Sequence, residues 1–472
     1  MSMPATALSS RDTAFVPPAG GRTLFGHPIG LSVLFLTEMW ERFSYYGMRG
    51  LLVLYMTDHL FIQGRAETVL GFATIQGILG GIFGDMNVQQ FSSQIYGLYT
   101  GFVYLTPFFG GMLADKILGQ RKTVVLGGIL MAIGHFLMAF ETLFYLALFF
   151  LILGNGAFKP NISTQVGNLY AADDPRRDRA FSIFYVGINV GAFFSNLVCG
   201  TLAFTLGWHY GFGAAGVGML LGVVIYLAGQ RFLAPDNVMK THAGEAVRQP
   251  LTRAEWRRVA ALVILCLLNV VFWAVYEQQG NTMQLWADKQ TEWPTIFGWQ
   301  IPSPWFQSFN PFFIFTLTPF IVGFWAWQAK RKKEPTSVTK MAIGCVILGL
   351  SFIVMVVGAK IIGDGKGSLL WPVVCTLLLT VGELYLSPVG LSLVTKVAPA
   401  RIVSMMMGMW FLSSFLGNYL SGLIGTLYSV MPKELFFLVL TVLGVAAGLA
   451  IFVLNRPLQK AMASREEAVP AA

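Results

Sequence analysis

Three charged residues stand in the sequence EMWERFSYYG, residues 38–47, inside a stretch from about 29 to 56 that is otherwise apolar enough to cross a membrane. An α-helix rotates by about 100° per residue, which places six polar side chains of residues 38–49 within one arc of about 140°, with Ser44 outside it. They are Glu38, Glu41, Arg42, Tyr45, Tyr46 and Arg49. Because an ionised side chain facing lipid costs several kcal/mol, this face is predicted to line a bundle interior or a water-filled cavity, with Glu38 and Arg42 paired one turn apart.

Further charges lie inside apolar segments: Lys159 in GNGAFKPN, Glu277 in FWAVYEQQG and Glu383 in TVGELYLSPVG. Together with the charges of residues 38–49 they make four acids and three bases, a set that one protonation would neutralise. The second half of the chain contributes two of the acids and none of the bases. A cavity between the halves would therefore suit a zwitterion, with its carboxylate near Arg and Lys and its ammonium near Glu. Since burial favours the neutral form of a carboxylic acid, the set predicts proton-coupled transport of a small polar solute.

A second interpretation is that Glu38, Glu41 and Arg42 only hold helices together as a neutralised cluster. For one isolated group of charges, this interpretation would be as good as the functional one. The charges in three further apolar segments favour a functional cavity.

The elements that must position these charges are membrane helices. Of the 472 residues, 55% are hydrophobic and 12% are charged, against about 25% charged in a soluble protein. Windows of about 20 apolar residues predict twelve spans. They lie near 29–57, 92–114, 123–140, 143–169, 180–206, 211–231, 256–286, 309–328, 339–361, 369–397, 402–428 and 434–455. Most of the 32 Lys and Arg residues then fall in loops on the side of the N terminus, which predicts that both termini are cytoplasmic.

The predicted spans form two sets of six, the all-α arrangement of the major facilitator fold, in which substrate binds between the halves. The predicted parts are a cytoplasmic tail (1–25), the first six-helix bundle (26–231), a cytoplasmic linker (232–255), the second bundle (256–455) and a cytoplasmic tail (456–472). The apolar segment 67–84 is interpreted as an external loop or re-entrant piece, because a thirteenth span would invert the side of every later loop.

Several other classes of protein are not predicted. The net charge of +9 arises from short basic runs between apolar blocks, which does not indicate a nucleic-acid-binding surface. The four cysteines lie inside apolar segments without paired spacing, so neither a disulfide, a metal site nor a cofactor is expected. No HExxH or GxSxG motif occurs, and the chain is therefore not predicted to be an enzyme.

EMWERFSYYG resembles the signature of the proton-dependent oligopeptide transporter family of the major facilitator superfamily. The segments FGGMLADKILGQRK, GNGAFKPNIS, FSIFYVGINVGAF, FQSFNP and GELYLSPVG are similar to further family segments in the same order. The resemblance implies a monomeric, multi-pass protein of the bacterial inner membrane that imports di- and tripeptides with protons by alternating access. The alternative is a symporter of the same fold for a non-peptide solute, such as nitrate, a drug or an amino-acid-like compound.

The resemblance also implies roles for individual residues. Arg42 and Lys159 would hold the peptide carboxylate, and Glu383 would hold the amino terminus. Further substrate-binding residues would be Tyr45, Tyr46, Tyr104, Asn189, Trp273, Asn310, Ser387 and Trp410, with Ser387 also shaping a broken helix beside Pro388. Proton coupling would involve Glu38, Glu41, Arg42 and Glu277.

Two gates are expected on the cytoplasmic side. Lys159 and Glu383 would close one as an ion pair when no substrate separates them, and Asp115 and Arg121 would lock the loop between the second and third spans. On the external side Asp288 lies near the expected height, but the second predicted span offers no convincing basic partner.

Overall fold

The computed structural model describes residues 23–171, 174, 176–235, 251–399 and 402–463, apart from the side chains of residues 178, 404 and 463. These residues form fourteen α-helices. In chain order they are α1 (Ile29–Tyr55), α2 (Phe72–Phe83), α3 (Val88–Leu113), α4 (Gln120–Leu137), α5 (Phe144–Asn168), α6 (Arg177–Leu206), α7 (Trp208–Gly229), α8 (Arg253–Tyr276), α9 (Thr282–Lys289), α10 (Phe309–Lys330), α11 (Ser337–Ile362), α12 (Leu370–Val397), α13 (Val403–Gly425) and α14 (Lys433–Ala463).

Three β-ribbons of two residues per strand join loop segments. They pair β1 (Thr23–Leu24) with β2 (His27–Pro28) and β4 (Thr295–Ile296) with β5 (Trp299–Gln300), both antiparallel, and β3 (Thr291–Glu292) with β6 (Gly367–Ser368), parallel.

Twelve of the described helices have between 18 and 31 residues, about the length needed to reach across a hydrocarbon core of about 30 Å. Eight segments are also apolar enough to cross a membrane; they contain α5 to α8, α10 to α12 and α14. The helix α1 is not among them, because it carries the charges of residues 38–42. The described chain is thus that of an all-helical membrane protein.

The long helices pack in two groups. In the first group α1 packs against α6 and α7, and α5 packs against α3 and α4; in the second, α11 packs against α12 and α14, and α8 packs against α13 and α14. The groups meet where α3 contacts α13 and α6 contacts α10. On α3, a Cβ added to Gly97 would lie 2.6 Å from the Cα of Gly422 on α13, so glycine is what lets these two backbones approach.

The segment 67–84 contains a short helix rather than a loop. The helix α2 has 12 residues and spans about 18 Å, too short to cross the membrane. It is anchored at its start, where the amide of Leu70 donates to the carbonyl of Thr142 (2.9 Å) and the ring of Phe72 packs on Phe61 and Phe91. The interpretation that this segment is not a thirteenth span agrees with its length.

The bounds of the predicted linker and tails differ from those of the helices. Residues 236–250 of the linker lie outside the described residues, and α8 begins at Arg253, where Thr252 and Glu255 cap its first turn reciprocally. The predicted C-terminal tail begins at residue 456, whereas α14 continues to Ala463. Residues 1–22 and 464–472 lie outside the described residues.

The broken helix expected at Ser387 and Pro388 is not found. The helix α12 runs without interruption from Leu370 to Val397, and α5 likewise continues through Pro160. Proline removes one backbone donor, and packed membrane helices tolerate this because neighbouring groups satisfy the freed carbonyl. The prediction of a break was therefore wrong.

Candidate functional site

A cavity of about 300 Å³ lies between the two groups of helices. It is lined by α1, α3, α5 and α6 from the first group and by α8, α10, α12 and α13 from the second. The predicted site residues that line it are Glu38, Arg42, Tyr46, Tyr104, Lys159, Asn189, Trp273, Glu277, Asn310, Glu383, Ser387 and Trp410. Two predicted residues of α1 do not line it: Glu41 is fully buried beside Arg42, and Tyr45 is buried with its ring 5.1 Å from that of Tyr46.

The charged face of α1 forms one connected cluster. The Nε of Arg42 lies 3.1 Å from Oε1 of Glu38, which confirms the predicted pair one turn apart. The same guanidinium donates through Nε and Nη2 to both oxygens of Glu41, a two-point contact that fixes its orientation. Asn155 of α5 also donates to Glu41 (3.3 Å). Glu38 lines the cavity and Glu41 does not, and the Oε2 atom of Glu38 is buried without a hydrogen-bond partner among the described residues.

An ion pair between Arg49 and Glu277 joins the two groups of helices. Arg49 of α1 donates to Glu277, which stands at the start of the 3₁₀ turn Glu277–Gln279 after α8. Both side chains are buried, at 12% and 1% exposure. The Nε of Arg49 also donates to the hydroxyl of Tyr96 on α3 (2.9 Å). Arg49 was recognised as an intramembrane charge, but its place in the site was not predicted.

Glu383 of α12 is held by neutral groups. It accepts hydrogen bonds from the hydroxyl of Tyr276 (2.8 Å) and from Nδ2 of Asn310 (3.0 Å), and Asn310 also donates to Thr380 (3.0 Å). Among the described residues Glu383 has no cationic partner. Its negative charge is thus oriented toward the cavity but not neutralised by protein.

Lys159 of α5 is the corresponding cation. Its Nζ lies 4.6 Å from the ring centroid of Tyr104, and it forms no ion pair with a described residue. The predicted gate between Lys159 and Glu383 is therefore not closed in this structure, since each side chain is bound by neutral groups of its own half. A cation and an anion that form no ion pair with a described residue thus face one cavity from opposite groups of helices.

Asp115 and Arg121 lie outside the cavity. Asp115 is exposed in the turn Ala114–Leu118 that follows α3. Arg121, in the first turn of α4, donates to the carbonyls of Ala234 (2.9 Å) and Leu233, which fixes the chain leaving α7.

Several lining residues were not predicted from the sequence. They are Tyr185, Tyr276, Gln279 and Gln307, together with Ser163 and Ser414. Tyr276 stands three residues after Trp273 on α8, so the helical spacing could have placed both on the cavity side. No comparable signal marks Gln307, which lies in the turn Ser303–Ser308 and donates to the carbonyl of Gln279 (2.8 Å).

The two groups are joined by hydrogen bonds at one end only, among the described residues. This end, where α1 finishes and α3 begins, is called the Arg49 end. The contacts across it pair Arg49 with Glu277, Asp58 with Lys289, Asn87 with Ser429, Gln89 with Gly425, Ser93 with Asn281, Phe193 with Ser308 and Thr201 with Trp305. The basic partner of Asp288 comes from its own half rather than from the second predicted span: Nζ of Lys289 lies 3.2 Å from Asp288 and 2.7 Å from Asp58 of the first group. Asp288 also accepts from Ser303 (2.5 Å).

Comparisons with a family model, with known proteins and with solved structures all indicate the same family. The model of the POT family matches residues 121–259 and 236–442. The peptide transporter YePEPT of Yersinia enterocolitica is 37% identical, over 86% of this chain and 89% of the relative. The di-/tripeptide transporter of Lactococcus lactis subsp. cremoris is 32% identical, over 93% of this chain and 98% of the relative.

The fold agrees with the same family. A crystal structure of a mutant peptide transporter POT in complex with alafosfalin superposes with a TM-score of 0.81 at 33% identity, covering 93% of this chain and 97% of that one. The sequence signature, the cavity between two helical groups and these similarities over nearly the whole chain agree. The chain belongs to the POT family of the major facilitator superfamily.

Proposed function

We propose that this chain is a symporter that imports di- and tripeptides together with protons by alternating access, with the peptide bound in the central cavity. The observation that carries the proposal is that Lys159 and Glu383, on opposite walls of one cavity, form no ion pair with a described residue. A free peptide carries a carboxylate and an ammonium at its two ends. Peptide is also the cargo in the names of the Yersinia and Lactococcus relatives.

The proposed orientation of the peptide follows the charges. Its carboxylate lies toward Lys159 and Arg42 in the first group, and its ammonium lies toward Glu383 in the second. The hydroxyl of Tyr276 and the amide of Asn310 keep the carboxylate of Glu383 directed at the cavity.

The alternative is a non-peptide cargo carried by the same fold. A simple anion such as nitrate would use Arg42 and Lys159 but would gain nothing from Glu383. The neutral partners of Glu383 leave its charge free for a cationic group, which favours a peptide over an anion.

Purified protein in liposomes is expected to take up labelled dialanine when the outside is acidic. An unlabelled tripeptide should compete, and free alanine and nitrate should compete far less, because neither presents both charges at the spacing of a peptide. The absence of uptake above that of empty liposomes, with protein that elutes as a folded species, would reject the peptide assignment.

We infer that Glu38 is the proton-binding carboxylate of the α1 cluster and that Glu41 orients Arg42. One guanidinium serves two carboxylates in this cluster, so one proton neutralises it. Glu38 lines the cavity and has one buried oxygen without a hydrogen-bond partner, whereas Glu41 does not line it and is bound on both oxygens. A proton entering from the cavity therefore reaches Glu38 first. Glu277 is the second proposed proton site, since its protonation would release Arg49 and loosen the Arg49 end.

The proposed topology places all twelve long helices across the plasma membrane, with both termini cytoplasmic. Most Lys and Arg residues lie in loops on the side of the termini, as expected for cytoplasmic loops. The Arg49 end is then external, and the structure represents a state closed to the outside. The apolar helix α2 would lie at the external surface.

Labelling of single cysteines tests this topology. The four native cysteines are buried, so an introduced one reacts selectively. Asp85→Cys, in the exposed turn after α2, should react with a membrane-impermeant maleimide in intact cells, whereas Lys116→Cys should react only after permeabilisation. The reverse pattern would place the Arg49 end in the cytoplasm.

A further inference from the structure

Gly280 stands where the Arg49 end meets the cavity. It follows the turn Glu277–Gln279, lines the cavity, and has a φ of −85°, a conformation open to any residue. The backbone therefore gives no reason for glycine at this position. The reason must lie in what surrounds the Cα.

The neighbours of Gly280 belong to the opposite group of helices. A Cβ at this position would overlap the hydroxyl oxygen of Tyr96, and it would lie 3.1 Å from the Cζ of Tyr96 and 3.2 Å from Nη2 of Arg49. Tyr96 cannot turn away easily, because its side chain is fully buried and its hydroxyl accepts from Arg49 at 2.9 Å. Glycine at 280 is thus required for Arg49 to reach Glu277 while Tyr96 remains bound to it.

We propose that Gly280 forms the steric contact against which Tyr96 closes the Arg49 end, because only glycine leaves room for the Tyr96 hydroxyl while Arg49 binds Glu277. The inference rests on the proposed alternating access and assigns to it a specific steric contact. When the two groups separate at this end, Tyr96 and Arg49 move away with the first group and Gly280 stays with the second. A side chain at position 280 then has no contact with Tyr96, so it destabilises the closed state and not the open state.

The energetic consequence is a shift between states rather than a loss of folding. Overpacking a close contact commonly changes an equilibrium by about tenfold or more. A glycine buried within one group would instead strain both states equally. The contact between Gly280 and Tyr96 differs because it exists only while the groups are together.

Crosslinking across the Arg49 end measures this equilibrium without any substrate. Asn87 and Ser429 are exposed, lie on opposite groups and form a hydrogen bond of 3.0 Å, so the double variant Asn87→Cys, Ser429→Cys reports closure through a short bismaleimide. In that background, Gly280→Ala is expected to shift the ratio of closed to open protein about tenfold and so to lower the initial rate of crosslinking, by up to about tenfold where the open state is well populated.

A second substitution distinguishes the proposed contact from general damage. Tyr96→Phe added to Gly280→Ala should restore part of the crosslinking, since the overlap with the hydroxyl is gone and the nearest atoms are Cζ of residue 96 at 3.1 Å and Nη2 of Arg49 at 3.2 Å. Tyr96→Phe alone should leave crosslinking near the reference level, because Arg49 still forms its ion pair with Glu277. The matched control is Gly323→Ala on α10, where a Cβ would meet nothing within 4 Å.

Three results would overturn the proposal: unchanged crosslinking in Gly280→Ala, no recovery on adding Tyr96→Phe, or loss of folded Gly280→Ala protein, since an open state should accommodate alanine. These results are independent of cargo. If the wild-type protein crosslinks as expected but takes up no peptide, the proposed substrate is rejected, whereas the proposed contact between Gly280 and Tyr96 is not.

Discussion

Glu383→Gln should lower the apparent affinity for dialanine by about ten- to a hundredfold while leaving the protein folded. The substitution removes the negative charge that faces the peptide ammonium, and a hydrogen bond to a charged group contributes about 1.5–3 kcal/mol. Glutamine keeps a carbonyl oxygen that can accept from Tyr276 and Asn310, so the local packing survives. The measurement is the concentration dependence of dialanine uptake in liposomes.

An N-acetylated dipeptide supplies the control on the substrate side. It has no ammonium, so wild-type protein should transport it poorly, and Glu383→Gln should lose most of this discrimination. The control on the protein side is Glu292→Gln, an exposed acid outside the cavity, which should behave as wild type. Wild-type affinity in Glu383→Gln would show that the ammonium binds elsewhere.

Glu277→Gln should retain exchange of internal for external peptide but lose accumulation driven by a proton gradient. In the wild type, protonation of Glu277 breaks its ion pair with Arg49 and frees the Arg49 end. Glutamine has no proton to gain or lose there, so the contact no longer responds to pH. Counterflow in liposomes should continue, whereas the ratio of internal to external peptide under an acidic outside should fall to about 1, as expected for transport without coupling to a gradient.

The matched control for this prediction is Glu141→Gln. Glu141 also forms ion pairs, with His59 and Arg65, but these are partly exposed and lie within the first group of helices. Its substitution should leave accumulation intact. If Glu277→Gln accumulates peptide as well as the wild type does, Glu277 is not on the proton path.

The polar face of α1 could be predicted from spacing alone. Contacts within one helix depend only on the 3.6-residue period, so the pair between Glu38 and Arg42 was predictable once the helix was recognised. The same period did not distinguish lining residues from those just behind them. Tyr45 and Glu41 fall in the predicted arc but are buried, because the neighbouring helices cover the edge of that arc.

Contacts between the groups of helices could not be predicted in this way. Arg49 and Glu277 are 228 residues apart, and only the packing of the two groups brings them together. The same holds for Lys289 and Asp58: a basic partner for Asp288 was expected on the second predicted span, whereas the ion pair that joins the groups there links Lys289 to Asp58, just after α1. Lys159 and Glu383 were paired by family resemblance, whereas here each is held by its own half, because the groups are joined at the opposite end.

The most direct test of the central claim, that peptide and protons move together, is the pH inside liposomes that contain the protein and a trapped pH-sensitive dye. With equal pH on both sides, adding dialanine outside should acidify the lumen of wild-type vesicles, and vesicles with Glu383→Gln should respond far less at the same concentration. Entry of labelled dialanine without any change in internal pH would contradict proton coupling.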